Sequence, residues 1–299
     1  MGYNNMEEIQ KSVPLKGFTS WRVGGEAEFF IRVSSLEALF NALEFAKREG
    51  LSVIILGGGS NVLVSDSGVK GLVIKVELKD IWRQGRLLVV DSGYSLIKLT
   101  RTVENSEFCD MAWASGIPGS VGGAVKGNAG AFGGDIASFI EWVEIIRDGK
   151  LVRLSSDKCG FSYRKSGFLH SDIIIRIGFK KSECKKEQIV AKRLEFTQRR
   201  KATQPSGYSA GSVFKNPFID NSSDILEAIP YKSAGQLIEA VGLKGFTIGD
   251  AVISEKHANF IINKGNATAT DIENLITICQ KRVFEKFGVE LVEEVKRLN

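Results

Sequence analysis

The 299-residue sequence predicts a fold that mixes α-helices and β-strands over more than one domain. Three observations support this fold class. A strand–helix–strand run occupies residues 28–76, short strand-like runs recur between residues 87 and 177, and a long amphipathic helix begins near residue 270. The length allows two or three compact domains, each with a core of its own.

The first run has the pattern of a βαβ unit. Its helix is expected to begin at Ser34, which forms a capping box with Glu37, and to end at Gly50. Apolar residues at helical spacing between these ends predict one buried face. The expected strands are 28–33 (EFFIRV), 53–56 (VIIL), 62–64 and 72–76.

The middle of the chain is rich in short strands. Asp148-Gly149 is typical of a two-residue hairpin turn between two of them. A charged helix over 186–201 follows, and the basic residues in its last turn are explained by the helix dipole. The expected strands are 87–90, 141–147, 151–154 and 172–177.

The C-terminal part predicts a smaller α+β unit. A long helix is expected to begin with Thr270 and Glu273 as a capping box and to end at Gly288. The other expected elements are a short helix near 233–241, a strand at 259–263 and a final strand, VELVEEV, at 289–295.

Composition and charge exclude several classes of protein. The net charge is +5, and basic residues alternate with acidic ones, so we expect no nucleic-acid partner. Four scattered cysteines without a CxxC pair predict reduced thiols and no metal site. The N-terminus lacks a secretory signal and no apolar run is long enough to cross a membrane, so we expect a cytoplasmic protein without membrane insertion.

The segment 57–61 (GGGSN) follows a buried strand directly. Consecutive glycines allow backbone N–H groups to point to one side, which suits a phosphate, but the same pattern suits a tight turn. The segment does not match GxGxxG and no amphipathic helix follows it, so a dinucleotide site of the Rossmann type is disfavoured. This motif alone does not decide between a phosphate-binding loop and a tight turn.

A second stretch, residues 115–134, carries eight glycines in twenty positions. Glycine offers no side chain to pack and loses much conformational entropy on folding, so such a stretch needs a bulky partner. Ile117, Val121 and Phe132 are apolar, which favours a buried segment around a large ligand over a mobile surface loop.

With both stretches in view, the sequence resembles the UDP-N-acetylenolpyruvoylglucosamine reductase family over essentially its whole length. The order and spacing of the motifs match throughout, and the subclass is the one without an extra tyrosine-bearing loop. One departure is Lys126-Gly127, which precedes NAGAF and is expected to alter the flavin pocket locally. The motifs are WRVGG (21–25), LGGGSN (56–61), SGIPGSVGGAV (115–125), NAGAFGG (128–134), YRKS (163–166), GSVFKNP (211–217), KHANFIIN (256–263) and ELVEEV (290–295).

The resemblance implies an α+β fold in which the FAD-binding part is of the vanillyl-alcohol-oxidase type, with two α/β subdomains. A C-terminal α+β domain binds the substrate. The expected domains are residues 1–76 and 77–204 for the two subdomains, with the strand in 290–299 returning to the first, and 205–289 for the substrate domain.

The resemblance also implies the reaction. NADPH reduces a non-covalent FAD, and the reduced flavin delivers hydride to an enolpyruvyl double bond of UDP-N-acetylglucosamine enolpyruvate. Ser212 is implied as the proton donor to carbon, Arg164 as the group that holds the substrate's developing charge, and Glu294 as a partner for the enolic acid form. Strand alternation would place Glu293 on the buried face instead, whereas the motif selects Glu294.

The implied binding residues follow from the same motifs. Tyr163, Lys215, Asn216 and His257 are implied substrate contacts, although a structural histidine is an equal alternative for His257, and His170 is expected to be an exposed turn residue. No protein partner is evident. The implied FAD-binding residues are Gly57, Gly58, Gly59, Ser60, Asn61, Ser115, Gly119, Ser120, Gly122 and Gly123.

Two other functions remain open at this point. The chain could be another oxidoreductase of the same FAD fold acting on a sugar or hydroxy acid, or a nucleotide-binding module without catalysis. Covalent flavin attachment needs a His or Cys near the glycine loops, and segments 57–61 and 115–134 hold none. The presence of Ser212, Arg164 and Glu294 argues against the module.

Overall fold

The computed structural model describes residues 8–106, 108–183, 185–217, 230–231 and 233–299. The chain divides into two compact units. The first comprises Met1–Val13, Ala27–Gly58 and Lys70–Arg200, and the second comprises Pro14–Glu26, Gly59–Val69 and Lys201–Asn299. The chain therefore passes from one unit to the other inside the GGGSN loop. The expected subdomain boundaries after residues 76, 204 and 289 stay a prediction.

The elements occur in an order that mixes helices and strands along the whole chain. The helices are α1 (Leu36–Arg48), α2 (Leu96–Asn105), α3 (Val121–Lys126), α4 (Lys186–Thr203), α5 (Ala234–Ala240) and α6 (Ala269–Phe287). The strands are β1 (Gln10–Pro14), β2 (Glu26–Val33), β3 (Val53–Leu56), β4 (Val62–Val64), β5 (Val69–Val76), β6 (Ile81–Gln84), β7 (Leu87–Asp91), β8 (Gly130–Ala131), β9 (Gly134–Asp135), β10 (Ile140–Arg147), β11 (Lys150–Ser155), β12 (Ile173–Lys180), β13 (Thr247–Ile248), β14 (Ala251–Ile253), β15 (Ile261–Asn263) and β16 (Lys296–Leu298).

The first unit contains the predicted strand–helix–strand run. Its sheet has the order β1-β2-β5-β3, and β3 runs parallel to β5. Helix α1 buries Leu39, Ala42 and Ala46 against the same cluster as the sheet. The predicted cap is wrong by one residue, because Ser35, not Ser34, accepts the hydrogen bond from the N–H of Ala38 at 3.1 Å.

A second sheet of the first unit has the order β11-β10-β12-β7-β6 and is antiparallel throughout. The predicted hairpin at Asp148-Gly149 is confirmed: both residues have positive φ, 50° and 73°, which a two-residue turn with the twist of the flanking strands requires. Buried apolar residues on β7, β10 and β12 pack with helices α2 and α3 in one cluster.

The second unit is built around helix α6. Ile272, Leu275, Ile276 and Val283 are fully buried on one face of this helix and belong to the cluster that also contains β14 and β15. Burying an aliphatic side chain of this size stabilises the fold by roughly 1.5–3 kcal/mol. This helical face therefore supplies several of the fully buried side chains of the cluster.

The two ends of α6 can be compared with the predicted capping box and the predicted terminal glycine. The capping box consists of Thr268 and Asp271 rather than Thr270 and Glu273, and Gly288 ends the helix at φ 66° as predicted. Both oxygens of Asp66 accept hydrogen bonds from Ala269 and Thr270 at 2.8 Å, so a loop carboxylate also satisfies the first turn.

The predicted final strand, 289–295, is wrong in position. The strand is β16, which pairs in parallel with β4 from Lys296↔Val62 to Leu298↔Val64. Segment 290–295 contains no strand and forms one isolated bridge, between Glu293 and Phe214. The predicted strand 259–263 is also shorter than expected, because residues up to Phe260 form a turn and only Ile261–Asn263 is a strand.

The predictions of reduced cysteines and of no membrane-spanning segment concern residues that the structure largely describes. Burial raises the pKa of Cys159 to about 11 and that of Cys279 to about 12, so both are protonated at neutral pH, and Cys109 is buried as well. Cys184 lies outside the described residues. Among the described helices none has the length and apolar character to cross a membrane, and the described residues contain no metal-ligating cluster.

Arg147 and Asp172 form a bidentate ion pair in the first unit, with Nε–Oδ1 at 2.8 Å and Nη2–Oδ2 at 2.7 Å. The hydrogen bonds from Arg147 lower the pKa of Asp172, whose side chain is fully buried. We expect Asp172→Asn to reduce the free energy of unfolding by about 2 kcal/mol at pH 7, because a charge-assisted pair is lost. Denaturant unfolding measures this.

The pH dependence of the same variant has a defined sign. Because the folded-state pKa of Asp172 is lowered, the pair stabilises the native protein above the unfolded-state pKa, and this contribution disappears as the pH falls through the folded-state value. The stability gap between native protein and variant should therefore close at low pH. Asp148→Asn removes the same charge in the exposed hairpin turn and should change stability little.

Candidate active site

The first two residues of the GGGSN loop contact the second glycine-rich stretch within the first unit. A Cβ added to Gly57 would lie 2.5 Å from Oγ of Ser120, and one added to Gly58 would overlap the backbone of Gly119. Lys75 on β5 donates a hydrogen bond from Nζ to the carbonyl of Gly57, and burial lowers the pKa of Lys75. Gly58 requires glycine because two backbones meet there, whereas a side chain at Gly57 would displace the hydroxyl of Ser120.

The rest of the loop belongs to the second unit. Gly59 has φ 67°, and a side chain there would overlap the backbone of Phe18. Its carbonyl accepts a hydrogen bond from the N–H of Ser20 at 2.9 Å. Asn61 donates from Nδ2 to the carbonyl of Glu294 at 3.1 Å. The asparagine of the motif therefore ties the loop to the segment that carries the predicted glutamate.

The stretch 115–134 is structured and packed. Ser120 caps the short helix α3 by accepting from the N–H of Gly123 at 3.2 Å, while Val121 and Gly122 donate from their N–H groups to carbonyls of the 92–94 turn at 2.8 and 2.7 Å. Val121 and Val125 are fully buried. The predicted buried segment is confirmed on this point, and the alternative of a mobile surface loop is disfavoured.

Two buried polar atoms, one at the first residue of this stretch and one just before it, test whether the region fits a bound cofactor. Oγ of Ser115 and Nε1 of Trp113 are buried and have no hydrogen-bond partner within the described part of the chain. Such atoms normally have a partner, so they suit a large polar ligand that supplies one. Together with the exposed backbone of Gly58 and Gly123, they fit a cofactor that carries phosphates and hydroxyls.

The YRKS motif lies in a tight turn next to the NAGAFGG segment of the first unit. Ser162 and Lys165 close the turn with hydrogen bonds of 3.0 and 3.1 Å, and Arg164 has φ 51°. The guanidinium of Arg164 donates to the carbonyl of Gly130 and lies 5.1 Å from the ring of Tyr163. The turn thus places Arg164 beside a glycine-rich backbone.

Buried Asn128 connects these two motifs. Its Nδ2 donates to the carbonyl of Ser162 at 2.9 Å, and its Oδ1 accepts from the N–H of Ala137 at 3.3 Å. The neighbouring Lys126, where the chain departs from the family motif, donates from Nζ to the carbonyl of Leu169 at 2.6 Å. The expected effect of Lys126-Gly127 on the flavin pocket stays a prediction.

The GSVFKNP segment and the segment of Glu294 are neighbours within the second unit. The N–H of Glu294 donates to the carbonyl of Val213 at 2.8 Å, and the N–H of Lys215 donates to the carbonyl of Val292 at 2.9 Å. Phe214, predicted as core, is 2% exposed. Ser212, which directly precedes the paired residues, therefore lies on the chain segment next to Glu294.

The structure also describes the two adjacent glutamates. The carboxylate of Glu293 forms two hydrogen bonds with Arg297, at 3.0 and 2.9 Å. Glu293 is thus committed to an ion pair near its own segment. Glu294 is half-buried and stays the candidate that the motif selects.

Two predicted substrate contacts also have structural partners. Oδ1 of Asn216 accepts from the N–H of Ala234 in the first turn of α5 at 3.1 Å. Nδ1 of His257 accepts from the N–H of Asn259 at 3.3 Å, and burial lowers the pKa of His257. A substrate contact would therefore have to use Nδ2 of Asn216 and Nε2 of His257. His170 is exposed in a turn, as predicted.

Arg200 is a residue of this region that the sequence did not single out. The basic end of α4 was explained by the helix dipole, yet Arg200 donates to the carbonyl of Trp113 at 3.2 Å and lies 4.8 Å from the ring of Phe132. Phe132 also stacks on Phe196 with ring centroids 4.6 Å apart. An aromatic residue inside a glycine-rich stretch was the available signal, because such a ring needs a packing partner.

Comparison with known proteins identifies the family. Residues 27–155 match the model of an FAD binding domain, and residues 203–298 match the model of the UDP-N-acetylenolpyruvoylglucosamine reductase C-terminal domain. A reductase of that name from Caldanaerobacter subterraneus is 40% identical to this chain, with 95% of this chain and 91% of the relative covered. The chain belongs to the UDP-N-acetylenolpyruvoylglucosamine reductase family.

Another member, from Clostridium novyi, is 38% identical, with 97% of this chain and 92% of the relative covered. The crystal structure of UDP-N-acetylenolpyruvylglucosamine reductase from Thermus caldophilus is similar at a TM-score of 0.81 and 35% identity, covering 98% of this chain and 99% of that chain. The predicted fold, an FAD-binding part followed by a C-terminal α+β domain, is confirmed, and FAD is the cofactor.

Gly58 gives a direct test of the cofactor loop in this reductase. Gly58→Ala places a methyl group against the backbone of Gly119, so the two loops must separate. We expect the purified variant to lose most of its bound FAD and its dissociation constant for FAD to rise about tenfold or more. Flavin absorbance per protein and a fluorescence titration measure this. Gly17→Ala, at a site with nothing within 4 Å, should retain FAD.

Proposed function

We propose that this protein reduces the enolpyruvyl group of UDP-N-acetylglucosamine enolpyruvate to give UDP-N-acetylmuramate, with FAD as cofactor and NADPH as co-substrate. The step belongs to the synthesis of peptidoglycan precursors. One observation carries the residue assignment: the GSVFKNP segment and the segment of Glu294 are joined by the hydrogen bond from the N–H of Glu294 to the carbonyl of Val213. Family membership supports the substrate and the cofactor.

The proposed chemistry assigns the chain three tasks at the substrate. FAD, when bound, supplies hydride chemistry between NADPH and the enolpyruvyl carbon. Ser212 then donates its hydroxyl proton to the adjacent carbon, which a weak acid can do because the carbanion beside a carboxylate is a strong base. Arg164 holds the charge that develops on the carboxylate, because its planar guanidinium suits two oxygens, and Glu294 is the partner for the enolic acid form.

Substrate binding is assigned to Tyr163, Lys215, Asn216 and His257. Lys215 and Asn216 follow Ser212 on a segment whose backbone is held by Val292 and whose asparagine is anchored at α5. Movement of this segment is thereby restricted, which favours one position of the substrate relative to the proton donor. The two side chains then present a cation and an amide to substrate oxygens.

FAD binding is assigned to both glycine loops and is non-covalent, since segments 57–61 and 115–134 contain neither His nor Cys. Gly122 has a supporting role, because a Cβ there would lie 2.7 Å from Cβ of Ser92. The proposal places the reaction in the cytoplasm and includes no nucleic acid, membrane insertion or obligate protein partner. The residues assigned to FAD are Gly57, Gly58, Gly59, Ser60, Asn61, Ser115, Gly119, Ser120, Gly122 and Gly123.

A spectroscopic cycle tests the activity. Purified protein should show a flavin spectrum that NADPH bleaches under anaerobic conditions, and UDP-N-acetylglucosamine enolpyruvate should then restore it. The product should be UDP-N-acetylmuramate by mass spectrometry. An oxidase of the same fold would instead recover its colour with oxygen and leave the enolpyruvyl compound unchanged, and that result would reject the proposal.

The role of Ser212 predicts an effect on one half-reaction only. Ser212→Ala removes the proton donor but no group that meets NADPH, so bleaching should proceed at close to the native rate. Reoxidation by the enolpyruvyl substrate should slow at least about a hundredfold. Stopped-flow absorbance measures both steps in the same sample, so the first step is the control for the second. Native-like reoxidation would remove Ser212 from the assignment.

A further inference from the structure

Asn259 holds the two residues that follow Ser212. Its carbonyl accepts from the N–H of Val213 at 2.9 Å. Its side-chain amide spans Phe214, with Oδ1 accepting from the Phe214 N–H at 2.9 Å and Nδ2 donating to the Phe214 carbonyl at 2.8 Å. The side chain of a turn residue thus replaces the neighbouring strand that would otherwise satisfy these backbone groups.

The opposite edge of the same segment is held by the chain before β16. The carbonyl of Val213 accepts from the N–H of Glu294 at 2.8 Å, and the N–H of Lys215 donates to the carbonyl of Val292 at 2.9 Å. Residues 213–215 are therefore bound from both sides, by Asn259 and by segment 292–294. Ser212 is the first residue beyond this bound region, and the preceding Gly211, at φ 79°, is a turn position.

Asn259 is itself fixed in place. It is 3% exposed. Its N–H donates to Nδ1 of His257 at 3.3 Å, and Oγ of Ser254 accepts from the N–H groups of Lys256 and His257 at 3.1 and 3.3 Å. Hydrogen bonds of Ser254 and His257 thus hold the turn that precedes β15, and Asn259 connects this turn to the backbone of Phe214.

We propose that Asn259 is a positioning residue for proton donation: its side-chain amide sets the position of Ser212 relative to the reacting carbon by clamping the backbone of Phe214. This inference rests on the proposed role of Ser212. A buried amide with both its donor and its acceptor in use keeps a unique geometry, whereas an apolar side chain of similar size leaves both groups of Phe214 unsatisfied. A displacement of about 1 Å at a reacting group can slow a reaction about a hundredfold.

Two variants of similar size separate positioning from packing. Asn259→Leu removes both hydrogen bonds, and Asn259→Asp retains the acceptor but turns the donor into a second oxygen that faces the Phe214 carbonyl. When the aspartic acid is protonated it can again both accept and donate. Burial raises the pKa of such a carboxyl, so the protonated form becomes populated as the pH is lowered from about 8 to about 5.

The readout is the rate of flavin reoxidation by UDP-N-acetylglucosamine enolpyruvate, divided by the rate of reduction by NADPH. For Asn259→Leu this ratio should fall between about tenfold and about a hundredfold below the native value at every pH. For Asn259→Asp it should be low at pH 8 and approach the native value as the pH falls. Each ratio is compared with native protein at the same pH, which removes the pH dependence of the chemistry itself.

Asn263→Leu is the matched control. Asn263 is 2% exposed in the same unit and also uses its whole amide, donating to the carbonyl of Trp21 at 2.8 Å and accepting from the N–H groups of Gly265 and Ala267 at 2.7 and 3.0 Å. All three of these side-chain hydrogen bonds go to residues outside segment 212–216. Asn263→Leu should lower the melting temperature about as much as Asn259→Leu while the ratio of half-reactions stays native.

The outcomes distinguish the two proposals. If Ser212→Ala reoxidises normally, the proton-donor role fails and this inference fails with it. If Ser212→Ala is slow but Asn259→Leu and Asn263→Leu give the same ratio, or Asn259→Asp shows no recovery at low pH, only the positioning role is overturned. If Asn259→Leu does not fold, the pH dependence of Asn259→Asp is compared with that of Asn263→Asp. The ratio of reoxidation to reduction should recover at low pH in Asn259→Asp and not in Asn263→Asp.

Discussion

Backbone-to-backbone contact between two loops is the constraint on which the first unit depends. Gly58 meets Gly119 at a distance that excludes even a methyl group, and Gly57 meets the side chain of Ser120, which begins α3. Strand β3 ends at this contact, so the contact fixes where the strand ends relative to the start of the helix. The same rule applies at Gly134 and Gly178, whose missing side chains leave room for Trp113 and Trp142. Much of the glycine content of this unit is thus a packing requirement.

The sequence predicted the fold well wherever a local pattern decides the structure. The βαβ run, the Asp148-Gly149 hairpin and the end of α6 at Gly288 depend on periodicity or on glycine geometry, and they lie where expected. Helix starts were less accurate, because several hydroxyl and acidic residues compete for the cap and the choice depends on tertiary contacts. Asp66 illustrates this, since a carboxylate about 200 residues away in sequence caps α6. The position of the final strand also depends on a tertiary contact. Within 289–298, pairing with β4 determines which residues form the strand.

The site residues also divide into those that local motifs reveal and those whose contacts only the folded structure reveals. Ser212, Arg164 and Glu294 were found through motifs, whereas the backbone hydrogen bond between Glu294 and Val213, the residue after Ser212, is visible only in the structure. Segment 290–295 is not a regular strand, yet Val289 and Leu291 are buried while Glu290 and Val292 are exposed, as alternation predicts. Glu293 and Glu294 are both half-buried, so burial does not choose between them. Asn259 has no sequence signal for its contact with Phe214, and for Arg200 only the ring of Phe132 was a signal, since both residues act on backbone groups that are distant in the chain. Such contacts depend on the assembled fold and leave no local pattern.

The second unit is assembled from segments that are far apart in the chain. The indole N–H of Trp21 donates to the carbonyl of Ile261 across 240 residues, and Asn61 reaches Glu294 across 233. Contacts of this span require a large loop to close before any stabilising interaction forms, so they form slowly and late in folding. Segments 14–26 and 59–69 must therefore remain without their partners in 201–299 until those residues have been synthesised. For a chain growing on the ribosome, the unit that carries Ser212 and Glu294 can thus be completed only after nearly the whole chain has been made, and the proposed proton donor acquires its surroundings no earlier than that.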